Sequence, residues 1–343
     1  MPEPSQLEKE ADVISDADDR PHQIAPQVYM PWKENWCFSG VDPEKATAVV
    51  WHISLRPTEG EGIFTCKVSG PDIEHRYVGR SPIPSDPADM QDISDGRLAL
   101  QIVKPLEEFQ LHFSDEEREI ECLFTNRFSV FDFADGALAP GRSPIGDLGR
   151  HVFPFHHYEQ AMRFTMRISD ASGERTFGGF GNRDHSWGWR NDFGFQSHHW
   201  VCANFPSRYV QGSTMIDVTY PGRKHGGFIS TASGNTPVIA VDVSDTYWEE
   251  PFDEPLPGLE RDVSYVLLDS TGETTRVTAH LADAYRRLYL NARHPNRNQV
   301  YQDVQVFCPF SLSTGEEGHG LLELGKRLLG EGIADRVGRR ATA

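Results

Sequence analysis

Alternation of apolar and polar residues with a period of two runs through this chain and restricts it to β-architecture. Phe109, Leu111 and Phe113 alternate with Glu108, Gln110 and His112. Met162, Phe164, Met166 and Ile168 alternate with Arg163, Thr165 and Arg167, and Val304, Val306 and Cys308 with Asp303, Gln305 and Phe307. Successive side chains of a strand point to opposite faces, so each run reads as a strand with one face buried. Turn sequences separate such runs at Gly60 and Gly62, Ser69-Gly70-Pro71, Asp95-Gly96, Asp135-Gly136, Ser172-Gly173, Pro221-Gly222 and Thr271-Gly272. Thirty glycines and 23 prolines suit short antiparallel strands in barrels or sandwiches and disfavour a helical bundle. One short C-terminal helix is expected over Leu321–Val337, where Leu324, Leu328, Leu329 and Ile333 recur at helical spacing.

A chain of 343 residues has room for two domains. Ala134–Gly149 holds six glycines and prolines and is the expected boundary. The expected division is a flexible acidic arm over 1–27, an N-terminal β-domain over 28–149 and a C-terminal β-domain over 150–338. Lys plus Arg number 33 against 51 Asp plus Glu, a net charge of −18. That surface repels phosphate backbones and anionic headgroups, so no nucleic acid is expected as a partner. No apolar run reaches the roughly 20 residues that span a bilayer, so no membrane insertion is expected. Met1–Arg20 carries nine charged side chains, unlike a signal peptide. Five scattered cysteines without a CxxC pair read as reduced thiols. The expected setting is the cytoplasm, the expected partner a hydrophobic small molecule, and the pattern is compatible with a homodimer.

The densest polar and aromatic cluster is Gly178-Gly179-Phe180-Gly181-Asn182-Arg183-Asp184-His185-Ser186-Trp187-Gly188-Trp189-Arg190. On an extended strand Arg183, His185, Trp187 and Trp189 share one face and Asp184, Ser186 and Arg190 the other, unless a bulge near Gly188 changes the phase. A face of His, Trp and Arg suits a pocket holding an apolar ligand by one polar anchor. An Arg–Asp pair beside buried Trp equally suits an ion pair that closes a barrel end. The Gly178–Gly181 run lacks the trailing glycine and following helix of a nucleotide loop. His156-His157-Tyr158-Glu159-Gln160 and Gln196-Ser197-His198-His199-Trp200 flank the cluster, bringing five histidines within 44 residues. Adjacent histidines on a strand diverge, and no HExxH-type spacing gathers them, so no metal is expected. They read instead as proton donors and acceptors. No GxSxG elbow surrounds Ser186; the cysteines read as core fillers, and Trp32, Trp36 and Trp51 as barrel plugs. Glu323, within Leu321-Leu322-Glu323-Leu324, wants a charged partner if buried, an arginine of the central cluster being the natural one; an exposed strand end is the alternative.

With Tyr158-Glu159-Gln160, the Gly179–Arg190 run, Trp200, Asn204 and Gly318-His319-Gly320-Leu321-Leu322-Glu323, the chain resembles the hydroxyneurosporene synthase (carotenoid hydratase) and AttH-like superfamily. More narrowly it resembles a bacterial branch carrying Arg-Asp-His-Ser-Trp-Gly. The resemblance implies an all-β fold of two tandem lipocalin-like (calycin) antiparallel β-barrels. It also implies hydration of an isolated alkene with no cofactor. On that reading Asp184, His185 and His199 are catalytic, with Asp184 or His185 giving the proton and His199 holding water. Trp187 and Trp200 offer π faces, and Arg183, Arg190, Asn204, His157, Tyr158 and Glu323 complete the substrate site. Ser186 stands where members often carry Glu, and His198-His199-Trp200-Val201 where carotenoid hydratases carry Trp-Asp-Trp. The implied substrate is therefore a different terpenoid-, steroid- or aromatic-like molecule.

Three functions fit: an acid/base lyase or isomerase, a non-catalytic carrier of hydrophobic ligands whose central cluster is a structural latch, and a pericyclic cyclase of the Diels–Alderase type. The first two differ in whether the polar cluster opens into a cavity or is sealed by its own ion pairs.

Overall fold

Most turns send the chain back beside the strand it has just left, and two antiparallel sheets result. The computed structural model describes residues 14–24, 31–133, 155–189, 195–217, 223–244, 262–293 and 298–333. The first sheet contains β1 (Trp32–Asp42), β2 (Thr47–Arg56), β3 (Glu61–Gly70), β4 (Ile73–Pro82), β5 (Ile93–Ser94), β6 (Leu98–Lys104), β7 (Glu108–Ser114), β8 (Arg118–Asn126), β9 (Phe131–Asp132), β10 (Phe155–Asp170) and β11 (Gly173–Trp189). Its order is β4-β3-β2-β1-β11-β10-β8-β7-β6-β5, with β9 on β10. The second contains β12 (Phe195–Asn204), β13 (Tyr209–Asp217), β14 (Arg223–Thr231), β15 (Gly234–Val243), β16 (Val263–Asp269), β17 (Thr274–Ala279), β18 (Arg286–Arg293), β19 (Gln299–Leu312) and β20 (Glu317–Leu329). Pairing of β17 with β19 closes this sheet into an eight-stranded barrel, while the first remains a half-barrel. The fold is all-β and matches the expected tandem lipocalin-like arrangement. No helix among the described residues is long and apolar enough to cross a membrane.

Three expectations change. β10 pairs with β8 and β11, and β11 with β1, so residues 155–189 belong to the first sheet. The division falls between Trp189 and Phe195, because a Gly/Pro-rich connection joins strands of one sheet as readily as it joins domains. Residues 134–149 themselves lie outside the described residues. The expected helix is a strand through Leu329, hydrogen-bonded to β12 and β19 along its length. Leu322 and Leu324 fill the barrel at strand spacing, Leu328 packs in a small separate cluster with Val300 and Ile333, and glycines weaken the helical alternative; residues 334–337 lie outside the described residues. The N-terminal arm is anchored where it is described: Asp16–Asp19 forms a 3-10 turn and Asp19 is fully buried.

Strands at the middle of the first sheet are buried on both faces, one against the half-barrel core and one against the second sheet. Trp36, Phe38, Trp51 and Ile53 plug the half-barrel. Val41, Val50 and Ala161 on the other face meet Cys202, Phe228, Phe307 and Leu321 of the second sheet. The glycine run of β11 lies at this crowded centre. A Cβ on Gly181 would stand 2.1 Å from the Ser39 carbonyl oxygen. Gly181→Ala is expected to destabilise the protein by about 1–3 kcal/mol, as overpacking does, read as a lowered denaturant midpoint.

Candidate functional site

Register assigns every side chain of the central cluster to one of two layers. Trp36 pairs with His185 and Phe38 with Arg183 across β1 and β11, while Tyr158 and Gln160 oppose the same two residues from β10. Arg183, His185, Trp187 and Tyr158 therefore face the half-barrel. Asp184 and Ser186, with Cys37, His157 and Glu159, face the second sheet.

The half-barrel layer is a sealed clasp. Asp19 enters it from the N-terminal turn and accepts hydrogen bonds from Arg183 Nη1 at 2.8 Å and Tyr158 Oη at 2.5 Å. Arg183 Nε donates to Gln160 Oε1 at 3.0 Å, and the guanidinium lies 4.1 Å over the Phe109 ring. His185 bridges Tyr158 and Glu34, each at 3.0 Å. His22 donates to Glu34 at 2.7 Å and stacks on Trp187 at 3.8 Å. Asp19, Glu34, Tyr158, Arg183 and His185 are all 0% exposed. Burial works to lower the proton affinity of Arg183, but Tyr158 and Asp19 outweigh it and hold the guanidinium above its ordinary value. Burial tends to raise Glu34, yet His185 and His22 hold it below the usual carboxylate range. In His185 burial prevails over Glu34 and the proton affinity falls. Arg183, His185 and Tyr158 thus lie in a buried, ion-paired layer on the half-barrel side, away from the second sheet, which favours a structural role over the catalytic and substrate-contacting roles expected of them.

The layer between the sheets is different. Glu159 is fully buried, and its Oε1 accepts a 2.6 Å hydrogen bond from Trp200 Nε1 of β12. Its other oxygen, Oε2, has no hydrogen-bond partner. Burial, reinforced by the charge of Glu323, pushes the carboxyl up to about 8 against the opposing Trp200 bond. His157 stacks on Trp200 at 5.4 Å, and Phe133 lies 5.6 Å from the same indole. Oxygen and nitrogen atoms of His157, Glu159 and Asp184 converge within 4.8 Å of one another. Facing them from the second sheet, Glu323 Oε1 meets His198 Nε2 at 3.1 Å and its Oε2 accepts from Gln305 Nε2 at 2.9 Å. Burial favours protonating Glu323, but His198, Gln305 and a hydrogen bond with Asp303 outweigh it and hold the group below its ordinary value. Neighbouring Asp303 is driven well above its own by burial and then by Glu323's charge.

Several of these groups sit mid-strand between two sheets yet retain accessible surface: 25% of the Glu323 side chain and 19% of His157. Cys37 and Asp184 are also only partly buried. Surface that survives at such depth marks a polar opening between the sheets at this end, while toward Phe131, Phe228 and Leu321 the sheets are packed together.

The expected site residues are thus divided. Asp184, His157, Trp200 and Glu323 meet at the cleft. His199 turns into the closed barrel, where it bonds Tyr265 Oη at 3.0 Å. Asn204, four residues and about 13 Å along β12 from Trp200, accepts from Arg127 at 2.9 Å and ties the sheets at the far end. Trp187 packs between His22 and His156 in the clasp layer. Arg190 lies outside the described residues. Among the described residues Glu323 has His198 and Gln305 as side-chain partners, while Arg183 is paired with Asp19 in the half-barrel layer. Sequence reasoning missed the weight of Glu159, one position from Tyr158 but on the opposite face, and missed Asp19 and Glu34, which only long-range packing delivers. A carboxylate at an alternating strand position facing two covered sheets was the available signal for Glu159.

Two solved structures share this architecture. Kievitone hydratase from Nectria haematococca aligns over 94% of this chain and 94% of its own, with a TM-score of 0.57 and 11% identity. An AttH-like protein from Nitrosomonas europaea aligns over 92% of this chain and 97% of its own, with a TM-score of 0.55 and 13% identity. At such identities the likeness is one of fold. No curated protein sequence matches the chain. A family model described as "Domain of unknown function (DUF7064)" matches residues 15–327, and the chain belongs to that family.

Proposed function

We propose that this protein is an acid/base lyase of the hydratase type that adds water to, or removes it from, a hydrophobic small molecule held between the two sheets, with Glu159 as proton donor. One observation carries the reading: a fully buried carboxyl with one oxygen fixed by Trp200 and the other unpartnered beside His157 and Asp184. Hydration needs a neutral acid near an alkene, a cation-stabilising face and a base for water. In the forward direction the alkene π pair takes the Glu159 proton, leaving Glu159 ionised and a carbocation against the Trp200 ring. Water oxygen bonds to that carbon, and its surplus proton passes to Asp184 or back to Glu159. No organic cofactor enters these steps. The hydratase named among the fold neighbours, and the Arg-Asp-His-Ser-Trp-Gly resemblance, support the reaction class. The departures at Ser186 and around Trp200 support a substrate other than a carotenoid.

The test is incubation with kievitone, terpenoid and steroid alkenes in oxygen-18 water, scored by mass gain. Labelled alcohol should form, and turnover should be retained below pH 8 and fall as pH rises through about 8, where Glu159 loses its proton. Turnover without label and insensitive to pH would indicate a cyclase instead, and tight binding without turnover a carrier.

A further inference from the structure

The cleft's other wall carries a donor set that the acid/base reading leaves unused. His198 Nε2, a Glu323 carboxylate oxygen and an Asp303 carboxylate oxygen lie within 4.8 Å of one another, with His198 and Glu323 3.1 Å apart. That spacing suits donors about 2.0–2.2 Å from a shared ion. The outer atoms of two donors are already held. His198 Nδ1 is bonded to Tyr301 Oη at 2.5 Å, and Glu323 Oε2 to Gln305 Nε2 at 2.9 Å. Metal-binding histidines and carboxylates are oriented in this way by neighbours that fix ring and carboxylate direction. Gly325 makes room for the arrangement: a Cβ there would lie 2.2 Å from His198 Cε1 and 2.4 Å from Tyr301 Oη.

A separate observation points to a ligand. Gln305 is 3% exposed and has its amide committed to this cluster through Nε2, yet its Oε1 has no hydrogen-bond partner. Asp303 Oδ1, inaccessible to solvent, also lacks one. Adjacent buried carboxyl groups are held together by a shared proton or by a cation; here Asp303 hydrogen-bonds Glu323 and the charge of Lys67 of β3 reaches it, and an ion would take the place of that proton. The comparable His22–Glu34–His185 group has no such need, since Glu34 is already bonded by both imidazoles and by the His22 amide.

We propose that His198, Asp303 and Glu323 bind a divalent first-row cation on the second-sheet wall of the cleft. One imidazole and two carboxylates favour Zn²⁺ or Mn²⁺ over soft copper or iron–sulfur chemistry. Three protein donors leave coordination positions for water or a substrate oxygen. The sequence expectation of no metal considered histidine spacing within single strands and not donors gathered from β12, β19 and β20, and the test below decides between the two.

The proposal stands independently of turnover, and its test reads binding alone. Full-length protein, stripped with EDTA and dialysed, is titrated with Zn²⁺ by calorimetry and with Mn²⁺ by electron paramagnetic resonance. One equivalent should bind at least one of the two ions. Asp303→Asn and Glu323→Gln should abolish that binding, and Gln305→Leu should weaken it about 10–100-fold. Glu119→Gln, in the surface group with His112 and Glu121, should change nothing. Should the carboxylate variants fail to fold, His198→Gln supplies the same test. Absence of stoichiometric binding to wild type, or binding that persists through Asp303→Asn and Glu323→Gln, or His198→Gln in their place, would overturn the site.

Discussion

Asp19→Asn is expected to destabilise the protein by about 3–5 kcal/mol, the usual cost of removing one partner from a buried ion pair. Arg183 has no accessible surface, and Asp19 is its ionic partner. Taking away that charge leaves the guanidinium to Gln160, Tyr158 and the Phe109 face, none of which carries a full negative charge. The same carboxylate holds the Leu106 amide and Tyr158, so the N-terminal turn, β10 and β11 loosen together. Denaturant unfolding should show a lower midpoint. A double variant with Arg183→Met should recover part of the loss, since the cost lies in the stranded charge. Glu34 adds a pH dependence of definite sign. Its folded value lies below 4.5, so its contribution is present above that pH and disappears as pH falls through the folded value. If Asp19→Asn kept full stability and lost turnover, the clasp would have to be read as part of the reactive site.

Glu159→Gln should have the complementary phenotype. Glutamine keeps an oxygen for Trp200 Nε1 and nearly the same volume, so the fold should survive. Without its transferable proton, turnover should drop by about 10²–10⁴-fold, the ordinary contribution of a general acid. Stability separates the two directly: glutamine carries no charge at any pH, so this variant should escape the loss of stability that wild type suffers as pH rises from 4.5 through about 8 and the buried carboxyl ionises. An unchanged turnover rate would place the proton donor elsewhere.

Outer strands were readable from sequence and central ones much less so. Phe109, Leu111 and Phe113 alternate with half-buried neighbours in β7 because one face of that strand meets water. In β1 and β2 nearly every position is buried, so the period-two signal fades where the sheets stack. Strand alternation correctly divided Arg183, His185 and Trp187 from Asp184 and Ser186. It could not say which face was sealed, because that depends on Asp19, 164 positions away in sequence from Arg183. The cluster is ion-paired on its half-barrel face, while Asp184 on the opposite face keeps part of its surface. Leu321–Leu329 misled because leucines at close spacing satisfy helical and extended periods alike, and only pairing with β12 and β19 decides.

The central claim is that Glu159 is a neutral acid at the cleft, and difference infrared spectroscopy tests it without any substrate. Spectra of wild type minus Glu159→Gln, taken at neutral pH, should contain a protonated-carboxyl band, and that band should give way to a carboxylate pair as pH is raised past about 8. A difference spectrum already showing carboxylate bands alone at neutral pH would contradict the account.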